Sequence, residues 1–163
     1  MPDPGRCPDC GRPLDAHDRH WRFTLPDVIA AVPEQDRGQI WQSEPDPRRA
    51  VLMQRDRTDG FLRALLPVRL TGGFTLTFGV WVRVRPADLH RAMRLWWAPE
   101  YRDLVVDGWL ANAIAPWGLH GAPVTVLVRD PDQVPYCDSS PDPRLRRVLR
   151  EQWPHESVLA AYG

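Results

Sequence analysis

The strongest pattern in the chain is an alternation of apolar and mostly polar residues between Phe74 and Arg85. Successive side chains of a strand point to opposite faces, so a period of two predicts one long strand with an apolar face and an outer face. A helix would scatter the same apolar residues around its circumference. The six apolar positions are Phe74, Leu76, Phe78, Val80, Val82 and Val84.

Neighbouring segments predict partners for this strand. Residues 61–70 repeat the alternation, and Thr71-Gly72-Gly73 predicts a hairpin turn into the long strand. Residues 50–54 predict a third antiparallel strand before the polar turn at 55–60, and residues 124–129 predict a further one.

Helical signals flank these strands. Prolines suited to a first helical position predict two short helical pieces within residues 21–42 and a longer helix over 86–97. Asp142 and Pro143 predict the start of a C-terminal helix. The run GWLANAIAPWG, within residues 101–120, favours a buried helix or tight turn, and residues 130–143 favour a loop.

Together these elements predict a single α+β domain over residues 1–163. We expect an antiparallel sheet of about four to five strands with helices packed on it. Residues 1–20 would form an N-terminal Cys-x-x-Cys knuckle, and residues 21–163 the α+β body.

The amino-acid composition excludes some reaction mechanisms and disfavours some partners. All 21 basic residues are Arg, so lysine-dependent Schiff-base and P-loop mechanisms are excluded. The net charge is zero, which disfavours nucleic acid as a partner. The N-terminus lacks the pattern of a signal peptide, and no apolar run of about 18 residues predicts a membrane span. Three Cys give no disulfide framework, so we expect a cytoplasmic protein.

Cys7-Pro8-Asp9-Cys10-Gly11 is the most recognisable local motif. Two thiolates at this spacing can hold one metal ion, and Gly11 lets the turn close, so a structural zinc site is one hypothesis. The pair could instead be free or reversibly oxidised. A thioredoxin-like redox site is a third reading, although the surrounding Pro and Gly residues disfavour it. The candidates for the remaining zinc ligands are His17, His20, Cys137 and His155.

The outer face of the predicted hairpin is the candidate contact surface for an unidentified protein or small molecule. Trp81 and Arg83 lie on that face, and an Arg beside a Trp ring favours a cation–π contact. A covering helix or N-terminal segment would instead bury Trp81. Asn112 stands in an apolar run, where it either bridges backbone groups or contacts a ligand. With Trp109, these residues favour a binding or interaction protein.

Two other function classes remain open. An enzyme or accessory factor of a small-molecule pathway would use a pocket lined by Trp81, Trp109, Asn112 and His120. A nucleic-acid-associated zinc protein would use the knuckle and the basic cluster between Arg144 and Arg150.

Several short motifs are spread along nearly the full length of the chain, namely Cys7-x-x-Cys10-Gly11, Leu25-Pro26-Asp27, residues 33–37, residues 78–82, Leu95-Trp96 and Gly108-Trp109-Leu110-x-Asn112. With these motifs the chain resembles domain of unknown function 2199, a bacterial family of uncharacterised proteins. The family carries no established activity, so the resemblance implies none here. Departures from the family pattern at Leu14, at residues 50–53 and at Pro143 weaken any metal site that the family would imply.

Overall fold

Nine short and long strands dominate the structure, a computed structural model that describes residues 19–162. The strands are β1 (Arg19–Arg22), β2 (Ile40–Gln42), β3 (Leu52–Arg55), β4 (Asp59–Leu70), β5 (Phe74–Val84), β6 (Val105–Leu110), β7 (Pro123–Leu127), β8 (Tyr136–Ser139) and β9 (Gln152–Trp153). The α-helices are α1 (Asp27–Ala30), α2 (Pro86–Leu95), α3 (Pro143–Arg150) and α4 (His155–Leu159). None of these described helices has the length and apolar character needed to cross a membrane.

The hairpin of β4 and β5 is the centre of the fold. The two strands pair antiparallel along their length, from Gly60 opposite Val84 to Leu70 opposite Phe74. The turn places Gly72 and Gly73 at positive φ, which glycine adopts without the steric penalty of a side chain. The predicted hairpin and the antiparallel β3–β4–β5 order are therefore confirmed.

The prediction of an open sheet covered by helices is wrong, because five strands close into a barrel. β4 to β8 form the ring: consecutive pairs are antiparallel from β5 to β8, β4 also pairs antiparallel with β5, and β8 returns to β4 in parallel. The closing register joins Leu65 to Tyr136. β1 adds to β5, whereas β3, β2 and β9 extend the β4 side.

Barrel closure changes what buries the apolar face of the hairpin. Even-numbered residues of β4 and β5, such as Leu66 and Val80, meet inward side chains of β6 to β8, among them Val106, Val126 and Cys137. Residues of α2, α3 and α4 join the same core, but most of the apolar face is buried by other strands. A small barrel filled by its own side chains has this arrangement.

Two local predictions also need correction. Residues 108–110, expected to belong to a buried helix or tight turn, lie in β6, in which Val106, Gly108 and Leu110 are buried and the residues between them are exposed. Part of the expected loop at 130–143 is β8, which supplies the closing strand. The helix predicted at 86–97 is confirmed as α2, and Asp142 caps α3 by accepting from the backbone N–H groups of Arg144 and Leu145.

Candidate functional site

The outer face of the barrel carries three rows of side chains across neighbouring strands. One row aligns Phe61 with Arg83 and Trp109, because Arg83 is in register with both. The next row pairs Arg63 with Trp81. The third pairs Leu65 with Gly79 and continues to Arg22 on β1.

The middle row is covered. Trp81 has no exposed surface and lies in a second apolar cluster outside the barrel, which includes Ile29 of α1 and Met53 of β3. The indole Nε1–H of Trp81 donates to the carbonyl oxygen of Thr24 at 3.2 Å. The segment that contains α1 therefore covers the centre of β5.

Arg63 is buried beside Trp81. Its guanidinium carbon lies 4.1 Å from the centroid of the Trp81 ring, so a cation–π contact joins these two buried groups. Its N–H groups donate to the carbonyl oxygens of Phe23, Pro47, Ala50 and Gly79. Burial, together with the nearby charge of Arg22, lowers the pKa of Arg63 to about 9.

Asn112 attaches the α1 segment to the barrel. Its Oδ1 accepts from the backbone N–H of Trp81 at 2.8 Å, and its Nδ2 donates at 2.9 Å to both the Leu25 carbonyl and Asp27 Oδ1. The other carboxylate oxygen of Asp27 accepts from the backbone N–H of Ala113. Asn112 is completely buried, and its polar atoms bridge backbone and Asp27 within the protein.

A cavity of about 470 Å³ opens where the first row meets the end of β5. Phe61, Val28 and Ala111 give it apolar walls, while Arg83 and Arg85 supply positive charge. This volume lies within the range of small-molecule sites, about 300–1,000 Å³. The other lining residues are Thr58, Val84, Pro86, Trp109, Leu110, His120 and Gly121.

The two arginines of this cavity have different partners. Arg83 donates to Asp59 Oδ1 at 3.0 Å, and Asp59 Oδ2 also accepts from Arg55. Arg85 forms no ion pair with a described residue; its guanidinium carbon lies 5.3 Å from the centroid of Trp109. The described lining residues include no carboxylate, so Arg85 places a positive charge without an ion-pair partner at an aromatic surface.

The structure divides the five predicted contact residues into two groups. Arg83, Trp109 and His120 line the cavity, and the Arg83 side chain is 55% exposed. Trp81 and Asn112 are buried under the α1 segment. β5 is thus hidden from water on both faces at Trp81 and open on its outer face at Arg83.

Sequence reasoning missed Arg85 and Phe61 as lining residues. Both residues have odd numbers, as Arg83 has, so the alternation alone assigns them to the outer face. Their convergence with His120 depends on β6 and the following turn lying beside β5, which no local pattern indicates.

The proposed zinc ligands Cys7, Cys10 and His17 lie outside the described residues. His20 lines a separate, smaller cavity, and Cys137 is buried in the barrel core, where burial raises the pKa of its thiol to about 12. Residues 19–162 contain no group of three or more His, Cys, Asp or Glu side chains arranged to hold a metal ion. The zinc site therefore stays a prediction.

Comparison with known proteins gives one result. The family model described as "Uncharacterized protein conserved in bacteria (DUF2199)" matches residues 6–152. None of the curated proteins and none of the solved structures gives a significant match to the chain.

Proposed function

The chain belongs to DUF2199, a family of uncharacterised bacterial proteins, and we propose, from the geometry of its cavity, that it is a binding protein for a small organic anion. The proposed site is the cavity beside Trp109, and the proposed ligand has a flat apolar body with a carboxylate or phosphate group. The observation that carries the proposal is Arg85, which lies over Trp109 and has no acidic partner among the described residues.

The walls of the cavity suit the two parts of such a ligand. Val28, backed by the buried Phe61, provides apolar surface for its body, and the exposed ring of Trp109 offers a face for stacking. Arg85 and Arg83 would receive the anionic group, because a guanidinium donates paired hydrogen bonds to carboxylate or phosphate oxygens.

Binding accounts for the lining more directly than catalysis does. Among the described lining residues, His120 is the one imidazole, and no carboxylate or thiol stands beside it as a partner. General acid–base or nucleophilic catalysis usually needs such a partner. The pathway-enzyme hypothesis would therefore depend on His120 and on groups brought by the substrate.

A matched pair of probes tests the proposal. 2-Naphthoate and 2-naphthamide share an aromatic body, but only the former is charged, so we expect calorimetry to find naphthoate bound about tenfold or more tightly. Arg85→Gln should remove this preference, whereas Arg144→Gln, on the exposed surface of α3, should leave it unchanged.

Two results would contradict the proposal: equal affinity for the acid and the amide, or an undiminished preference in Arg85→Gln.

A structural zinc knuckle at Cys7 and Cys10 remains a separate proposal. Elemental analysis of the purified full chain tests it, since a closed site retains about one zinc ion per chain.

A further inference from the structure

A second cavity, of about 230 Å³, lies at the third row of the outer face. Its lining includes Arg22, Arg63 and His20, together with Gln133. No carboxylate belongs to that lining among the described residues, so two guanidinium groups share a small space without an acid between them. Like charges at close range raise the free energy of the folded state unless something compensates for them.

Arg63 is the buried charge of this cavity. Only 1% of the residue is exposed, and its hydrogen bonds go to four carbonyl oxygens and not to a carboxylate. Carbonyl groups satisfy N–H donors, but they leave the net charge of the guanidinium in place. The proximity of Arg22 adds to this charge and is one cause of the lowered pKa of Arg63.

Arg22 is the accessible charge. Its side chain forms no hydrogen bond or ion pair with another residue that the structure describes, and partial burial lowers its pKa. The charge of Asp46 opposes this lowering, but Asp46 is not a hydrogen-bond partner of Arg22: its Oδ1 accepts from the backbone N–H of Arg48. The guanidinium of Arg22 therefore keeps its donors available to a ligand.

Gly79 makes room for Arg22. The two residues are opposite each other in the parallel β1–β5 pair, and the stem of Arg22 lies across the position that a side chain would occupy. A Cβ on residue 79 would be 3.0 Å from Cγ of Arg22 and 3.4 Å from its Cβ. The absence of a side chain at Gly79 thus permits the placement of Arg22 beside Arg63.

We propose that this cavity binds a small doubly charged oxyanion of the phosphate or sulfate class. The guanidinium of Arg22 contacts the oxyanion directly, while the buried charge of Arg63 attracts it from behind. Gln133 and His20 line the opening and can donate further hydrogen bonds. The site is separate from the cavity at Trp109, because the covered Trp81 lies between Gly79 and Arg83 on β5.

Calorimetric titration of the full chain with inorganic phosphate, at constant ionic strength, tests the proposal. We expect saturable binding that Arg22→Gln weakens about tenfold or more, the effect of losing charge-assisted hydrogen bonds. Arg22 reaches the surface, so the variant should keep the fold. Sulfate should compete with phosphate because of its matching shape and charge, and acetate should not.

Gly79→Ala and Arg85→Gln complete the test. Gly79→Ala retains both arginines but moves the Arg22 stem, so it should also weaken phosphate binding. Arg85→Gln should leave the phosphate binding that depends on Arg22 unchanged while removing the naphthoate preference. The proposal is overturned if the unaltered protein shows no saturable binding, if Arg22→Gln binds phosphate normally, or if the loss occurs in Arg85→Gln instead.

Discussion

Trp81 and Trp109 lie on neighbouring strands and on the same outer face of the barrel, yet their environments are opposite. Trp81 is completely buried under the α1 segment, whereas Trp109 is 36% exposed at the edge of a cavity. The alternation that gives both residues their face is the same. The difference comes from the α1 segment. Asn112 holds this segment over Trp81, and the segment does not cover Trp109.

The comparison divides the outer face of the barrel into a covered half, which contributes to stability, and an open half, which is available for binding. The covered half contains a buried Arg, a buried Asn and a buried Trp whose polar atoms are satisfied within the protein. The open half contains Arg83, Arg85 and His120, which reach solvent. We therefore expect substitutions in the covered half to change folding and those in the open half to change binding.

The largest expected effect is that of Trp81→Ala. Removing a buried Trp should lower the free energy of unfolding by about 3–5 kcal/mol, because a cavity remains and Arg63 loses the ring beside it. Urea unfolding followed by circular dichroism measures this change. Trp109→Ala is the matched control and should cost less than half as much, since its ring is partly in water. Equal decreases in the free energy of unfolding for the two variants would contradict the division of the outer face into a covered and an open half.

Asn112→Ala should have an intermediate effect. The variant leaves the Trp81 N–H and the Leu25 carbonyl without their partner, which should lower the free energy of unfolding by about 1–3 kcal/mol. Because Asn112 joins the α1 segment to the barrel, amide exchange in residues 25–30 should accelerate more than exchange within β7.

His120→Ala is the control for this prediction, since it removes a polar side chain from the open half. It should leave both stability and exchange in residues 25–30 nearly unchanged. Similar exchange in the two variants would show that Asn112 does not attach the α1 segment.

The sequence predicts the hairpin well because each strand carries its signal locally. Alternation in residues 61–70 and 74–85, with two glycines between them, is enough to define β4, β5 and the turn. Barrel closure has no such signal. It depends on a single parallel register between Leu65 and Tyr136, residues far apart in the chain, and on a strand as short as β8.

The candidate site shows the same limit. Arg83, Trp109 and His120 were predicted as contact residues, and they line one cavity. The burial of Trp81 could not be derived from β5 alone, because its cover comes from the α1 segment earlier in the chain. The run around Trp109 was misread because Val105 and Trp109, though exposed, are apolar and obscure the alternation of β6.

A small stability effect is also expected for Arg83→Gln, on the open half. The Arg83 side chain is half exposed in its ion pair with Asp59, and Asp59 keeps its bonds to Arg55, so the free energy of unfolding should change by about 0–1 kcal/mol. Naphthoate affinity should fall less than in Arg85→Gln, because Asp59 already offsets the charge of Arg83.

Asp59→Asn should have the opposite effect on naphthoate affinity. Replacing the carboxylate by an amide frees Arg83 from its acidic partner and adds net positive charge at the cavity, so naphthoate should bind more tightly. Raising the salt concentration should reduce the difference between the two variants, since exposed charges are screened. If calorimetry finds that Arg83→Gln and Asp59→Asn weaken naphthoate binding to the same extent, the cavity does not recognise its ligand by charge. The open half would then differ from the covered half in exposure alone.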